Sequence, residues 1–329
     1  YLLLPPDFEG EIPDGYIVRR SKTYGHWLAI RGFMENFEPD PVVKNMKDHF
    51  RLYPMGSAPQ EVNWVTVAME DFNTLHAQDI TFYEEVNTTV QEEPNSAESP
   101  EILGLLASIG IQKGKPFKPD ARMKKILTEA VAVGNGTART LLWYERNPSE
   151  FFHENTYWKR GFIGNSYEYL RNEGMGGRHL DARTHFYYFA TVNTPAMAIK
   201  LVGAGSQYAW GYLDSKGDYL DGSNTYKLNL PKDPPAEKFI SICLYDPQTR
   251  SELQTDQPFP SKQSQRDKLI VNDDGSIDLY FGPKSPAGKE ANWTQTVPGK
   301  GWFTLLRLYS PGQAFFDQTW RPDDFEKLD

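Results

Sequence analysis

Three stretches in the last third of the chain share one pattern of apolar and polar positions: Phe239 to Tyr245, Ile277 to Phe281 and Phe303 to Tyr309. Each mixes β-branched and aromatic residues with polar ones, then runs into a turn through Leu-Tyr: Leu244-Tyr245-Asp246-Pro247, Leu279-Tyr280-Phe281-Gly282-Pro283 and Leu308-Tyr309-Ser310-Pro311. This is strand chemistry closed by a proline that has no N–H for a ladder. From Gly203 onward the β pattern is continuous, and Asp214-Ser-Lys-Gly217, Asp221-Gly222 and Asn272-Asp-Asp-Gly275 supply hairpin turns. The expectation is an antiparallel β domain.

Upstream the pattern changes twice. Residues 1–75 alternate short β-like runs (Tyr16 to Arg20, Trp27 to Phe33, Phe50 to Tyr53, Trp64 to Met69) with Pro/Gly punctuation, and read as strand-rich. Helical spacing follows. A capping box at Thr81 and Glu84 opens a helix to about Gln91, Ser99-Pro100 opens a second up to Gly110, and Asp120 opens a third and longest. Gly134-Asn135-Gly136 is expected to kink or break that third helix. These helices read as a connector packed on sheets. Asn147 to Gly177 reads as long aromatic loops with pieces of strand, and Asp181 to Ala190 as helix in preference to strand.

Composition narrows the function classes. In 329 residues there are 35 Lys+Arg against 44 Asp+Glu, a net charge of −9, so the general attraction that nucleic acid or an anionic membrane requires is absent, although a local basic pocket remains open. No apolar run approaches the ~20 residues of a spanning helix, and membrane insertion is not expected. Cys243, the sole cysteine, excludes an intramolecular disulfide and reads as an inert core thiol. The start at Tyr1 within an apolar run suggests a fragment or processed product whose upstream segment is missing.

Candidate chemistry lies in several places. His179, Asp181, Arg183 and His185 would share one face if extended, a plausible metal set, whereas in a helix only Asp181 and His185 would face each other. A solvated polar face or a structural hydrogen-bonded pair is preferred there. Acidic turns at Asp214/Asp218/Asp221 and Asn272/Asp273/Asp274/Asp278 invite calcium, but Asx residues with Gly are what hairpin turns need anyway. Gly203 to Ser206 is glycine-rich without the lysine or following helix of a phosphate cradle. The loop Asp246 to Pro260 is dense in polar groups; Arg250 is placed either to fork onto a ligand carboxylate or phosphate, or to pair with Asp246 or Asp256 and pin the loop. Trp293 and Trp302 bracket a loop that either stacks on a sugar or aromatic ligand or covers the end of the sheets.

Taken together, Ile109 to Phe117 with Pro119 to Met123, Gly205-Ser-Gln-Tyr208, Leu244-Tyr-Asp246 with Thr249-Arg250, Asp274-Gly-Ser276 with Tyr280 to Pro283, and Asn292 to Trp302 resemble the bacterial family with paired domains of unknown function 1254 and 1214. Tyr1 to Pro6 with Gly15-Tyr16 resembles the later, C-terminal part of the first domain; about 200 to 321 resembles the second. The resemblance implies two β-sandwich or jelly-roll-like antiparallel domains with a helical connector, often in exported proteins of the periplasm or outside. It brings no catalytic residues.

The combined expectation is a mainly β chain, α+β overall: 1–78 the remainder of an N-terminal β domain, 79–200 helical connector and aromatic loops, 201–329 a C-terminal β-sandwich. The first functional reading is a small polar or anionic molecule held in a cleft between two β domains by Arg31, Tyr208, Arg250, Asp256 and Gln257. The second is a divalent-metal hydrolase using His179, Asp181 and His185; the third is a non-catalytic envelope or interaction module. No cofactor is required by the first and third readings, and homo-oligomers remain open.

Overall fold

The structure is a computed structural model that describes all residues except 33, 66–74, 145–149, 164, 165, 173–175, 191, 192, 194, 199 and 329. Its contacts separate into two compact units, Tyr1–Asn135 and Gly136–Asp329. No helix among the described residues is long and apolar enough to cross a membrane.

In the first unit, β1 (Leu2–Leu4) pairs in parallel with β2 (Val18–Arg20), Leu2 opposite Val18. The expected run of strands is corrected here. No strand forms at 27–32 or 50–53, and the last proposed run, Trp64 to Met69, falls largely outside the described residues. A helix unforeseen in the pattern, α1 (Pro39–His49), occupies the middle of the segment. Next come α2 (Thr81–Glu92), α3 (Pro100–Ser108) and α4 (Ala121–Trp143). Local polar chemistry explains where they begin. Ser99 Oγ accepts from the Ile102 amide at 3.3 Å and Asp120 Oδ1 from Met123 at 2.7 Å. At α2 the cap belongs to Asp79 and not to the expected Thr81 box, since Asp79 Oδ1 accepts both the amide and the hydroxyl of Thr81, at 2.9 and 2.6 Å. The break expected at Gly134-Asn135-Gly136 does not occur: α4 runs through it for 23 residues. Each glycine costs about 1 kcal/mol relative to alanine but keeps its N–H and so does not interrupt the ladder.

The second unit adds β3 (Lys159–Arg160), α5 (Leu180–Phe189), α6 (Pro195–Ala198), β4 (Ser206–Gly211), β5 (Thr225–Leu230), β6 (Ala236–Tyr245), β7 (Ser261–Gln263), β8 (Ile277–Gly282), β9 (Trp293–Gln295), β10 (Phe303–Pro311), α7 (Gln313–Phe316) and β11 (Glu326–Leu328). A five-stranded antiparallel sheet has the order β3-β4-β10-β6-β7; a four-stranded sheet has the order β11-β5-β8-β9. Its β8 and β9 run parallel, so the unit is not purely antiparallel. The three Leu-Tyr strands thus separate, β6 and β10 as neighbours in one sheet and β8 in the other.

Period-two alternation on β10 decides the layering. Leu306 and Leu308 enter a cluster with Ala209, Ile240, Ile242 and Leu244 and with Tyr226, Leu228, Leu230, Leu279 and Phe281 of the four-stranded sheet. Phe303 and Leu305 point the other way, with Trp210, Tyr212, Cys243 and Tyr245, onto Ala138 and Leu142 of α4 and Tyr188 of α5. The five-stranded sheet is therefore covered by a sheet on one face and by helix on the other, each large apolar side chain contributing about 1.5–3 kcal/mol on burial. The chain is α+β, and neither sheet closes.

Candidate functional site

Short strand β3 forms one edge of the five-stranded sheet, with Lys159 opposite Trp210 and Arg160 opposite Ala209. Gly161 follows because nothing larger fits well: a Cβ there would stand 3.3 Å from Tyr208 Cβ and 3.5 Å from its carbonyl oxygen. This close approach shapes a cleft lined by Arg160, Gly161, Lys200, Gln207, Tyr208 and Gln318 with the rings of Phe152, Phe162, Phe315 and Phe316. The interior room is about 30 Å³, enough for a water or the charged head of a small anion.

Two cations dominate the cleft. Arg160 is held by Nε to Phe151 O (2.9 Å) and Nη2 to Phe152 O (3.0 Å), which leaves further N–H groups of its five. Burial lowers its pKa. Lys200, exposed at the mouth, is lowered first by desolvation and then by the charge of Arg160. Neither cation has a carboxylate within ion-pair distance among the described residues. Tyr208 shares a 2.7 Å hydrogen bond with Ser206, and Gln318, in a left-handed conformation (φ 62°), donates to Phe152 O. Cations with aromatic walls and amides are the chemistry that receives a carboxylate on an apolar body.

Of the residues picked out in the sequence, only Tyr208 lies in this cleft. Arg31 belongs to the first unit, in a groove with Glu35 and Glu38, where carboxylates outnumber it. Arg250 does not ion-pair with Asp246 or Asp256. Its guanidinium lies 4.2 Å from the Tyr188 ring centre, its Nη1 donates to Gln248 O at 2.6 Å, and its backbone is left-handed (φ 59°). Asp246 is taken instead by Lys300, at 2.8 Å. Asp256 and Gln257 dock on Gln295: its side chain bridges the Asp256 amide (2.9 Å) and carboxylate (3.0 Å), and its amide donates to Gln257 Oε1 at 2.8 Å.

The remaining candidates are occupied by structural roles. His179 Nδ1 accepts from the Ala182 amide at 3.2 Å as the cap of α5, so the helix reading of this segment holds. His185 is buried against Trp210, ring centres 4.6 Å apart, while Asp181 is exposed. No group of three or more His, Cys, Asp or Glu able to hold a metal occurs among the described residues. Asp214 Oδ1 accepts the amides of Lys216 and Asp218, Asp221 Oδ1 that of Ser223, and Asp274 Oδ1 that of Ser276, which is the turn chemistry and not a cation shell. At Gly203 to Ser206 the Gly203 amide is spent on Pro311 O. Trp302 is a core residue stacked on Phe281, and Trp293 Nε1 donates to Gly282 O at 2.9 Å, so this loop covers the sheet end.

Arg160, Lys200 and Gln318 were not singled out from the pattern. The one sequence signal was Gly161 directly after two cations and before an aromatic residue.

Residues 205–313 match the model of a protein family of unknown function, DUF1214, and residues 1–54 match that of another, DUF1254. The second match lies at the N-terminal end of the chain, which corrects the expectation of a C-terminal part only. No curated protein matches. Among solved structures, the VPA0106 protein of Vibrio parahaemolyticus is similar in fold, with a TM-score of 0.51 and 16% identity over 99% of this chain and 75% of that one. An uncharacterized protein of Burkholderia cenocepacia aligns at a TM-score of 0.30 and 11% identity, over 75% of this chain and 50% of that one, too low to argue from. The two family matches support the paired DUF1254 and DUF1214 family for this chain.

Proposed function

We propose that the second unit binds a small anion with an apolar body, its charged head between Arg160 and Lys200 and its body against Phe162, Phe315 and Phe316. The observation that carries this reading is a pair of cations, Arg160 and Lys200, that line one cleft with no ion-paired carboxylate among the described residues, the charge of Arg160 adding to the desolvation that lowers Lys200. Such a pair costs free energy in the empty protein and is relieved by a bound anion. Tyr208 lines the cleft beside this pair. The small interior favours a carboxylate over a bulkier phosphate ester.

Thermal shift and calorimetry with benzoate, acetate and inorganic phosphate test it. Benzoate should raise the melting temperature most, by mass action on the folded state. The effect should vanish in the double variant Arg160→Met, Lys200→Met. An unchanged benzoate response in that variant overturns the reading. The sandwich-like description of the second unit and an exported location belong to the same proposal, the latter checked by cell fractionation.

A further inference from the structure

A second cation stands apart from this cleft. Arg307 lies on β10, the strand paired on both edges, opposite Tyr208 of β4 and Ser241 of β6. Its side chain therefore shares the helix-facing side of the sheet with Leu305, Cys243 and Tyr245. Helix covers that face at its Phe303 and Leu305 end. Toward the other end Ser206, Tyr208, Ser241, Arg307 and Tyr309 are only half-buried.

Burial opposes the charge of Arg307, and the Tyr245 and Tyr309 side chains, the second also hydrogen-bonded to it, favour it. Nη2 donates to the Tyr245 hydroxyl, and Nε is fully buried without a hydrogen-bond partner among the described residues. No carboxylate there forms an ion pair with it; that of Glu252 stands 3.6 Å from Cys243 Sγ instead. Nor do its neighbours supply a negative charge. Burial pushes the Cys243 thiol up to about 11 and the Tyr245 phenol well above its ordinary range, so both are neutral near pH 7. A withdrawn guanidinium with a neutral acceptor is costly unless an anion completes it. The groups beside it on the same face are hydroxyls, which donate to anions: the hydrogen-bonded Ser206–Tyr208 pair, Ser241 and Tyr309.

We propose that Arg307 anchors a second anion site, separate from the Arg160–Lys200 cleft, that takes a small carboxylate between its guanidinium and the hydroxyls of Ser206, Ser241 and Tyr309. A small monoanion suits it because the site holds one cation.

The test titrates the full chain with acetate, using calorimetry and thermal shift, in wild type, Arg160→Met, Arg307→Met and Arg307→Lys. Acetate should still bind Arg160→Met, which removes only the first cleft's share of the response. Binding should be about tenfold or more weaker in Arg307→Met, as expected for loss of a charged hydrogen bond, and intermediate in Arg307→Lys, which keeps the charge without the fork. An acetate response in Arg307→Met equal to wild type overturns the proposal. Should Arg307→Met not fold, a wild-type crystal soaked in sodium bromide decides: an anomalous peak beside the guanidinium supports the site, and its absence there overturns it.

Discussion

Lys300 Nζ lies 2.8 Å from Asp246 Oδ2, so the first Leu-Tyr strand end is tied to the loop that precedes β10. Desolvation raises the Asp246 carboxyl, but Lys300 and the Gln248 and Thr249 amides outweigh it, and the pKa falls below the usual 3.8. A carboxyl lowered by folding stabilises above its unfolded value, and that contribution is lost as pH falls through the folded one. Lys300→Met should cost about 0.5–1 kcal/mol at pH 7 and less below pH 3.8, read from urea unfolding at both ends of the range.

Asp324 has the opposite sign. Burial raises its carboxyl although Thr156 Oγ1 and the Tyr157 amide both donate to Oδ1 at 2.9 Å. Its stabilising contribution is complete below the usual 3.8 and is lost as pH rises through the folded value. Asp324→Asn keeps the acceptor and drops the charge. The variant should gain on wild type as pH rises above 3.8, in melting temperatures measured from pH 4 to 7; a constant difference across that range contradicts the assignment.

Cys243 should be unreactive in the native protein. It is buried and its thiol is pushed up to about 11, leaving well under one part in a hundred as thiolate near pH 8. Ellman's reagent at pH 8 should label it only after denaturant is added. Labelling of the native chain at the rate of a free thiol contradicts this account.

Gly222 is the glycine whose replacement has the clearest cost. A Cβ there would meet Val297 O at 2.2 Å and Lys300 O at 2.9 Å, both backbone atoms, while the Gly222 amide donates to Lys300 O at 2.8 Å. Gly222→Ala should lose about 3 kcal/mol or more in chemical denaturation. Gly288→Ala, whose Cβ would meet nothing within 4 Å but whose φ is 74°, should lose about 1–2 kcal/mol from backbone strain alone.

Arg160→Met should raise the pKa of Lys200, because the guanidinium is one of the two causes that hold it down. Titration of reductively methylated lysines by carbon NMR reads the shift, and an unmoved Lys200 would show the two charges are not neighbours in solution.

Much of the sheet architecture was legible because alternation along β6, β8 and β10 is a local property of the chain. Caps such as Ser99 and Asp120 were legible for the same reason. Helix α1 was not, since Pro39 and Pro41 look like turn punctuation, yet proline is tolerated in a first helical turn where the N–H is unsatisfied anyway. The partner of Arg250 was misread because the candidates were chosen from its own loop, whereas Lys300 reaches Asp246 from 54 positions away. The cleft was hidden on similar grounds: Arg160, Lys200 and Gln318 are far apart in the chain and line one cleft only in the fold, and nothing in their separate surroundings marks them as a set.

The central place of β10 bears on how the chain is made. Its two partners, β4 and β6, are complete by residue 245, but the strand that joins them runs to Pro311, 66 positions later. At about 5–20 residues per second of synthesis, roughly 3–13 s pass in which β4 and β6 each present an open ladder edge. Exposed edges invite pairing with other chains. A nascent chain of this protein is therefore most prone to pair with others through these edges in the interval between the emergence of β6 and that of β10.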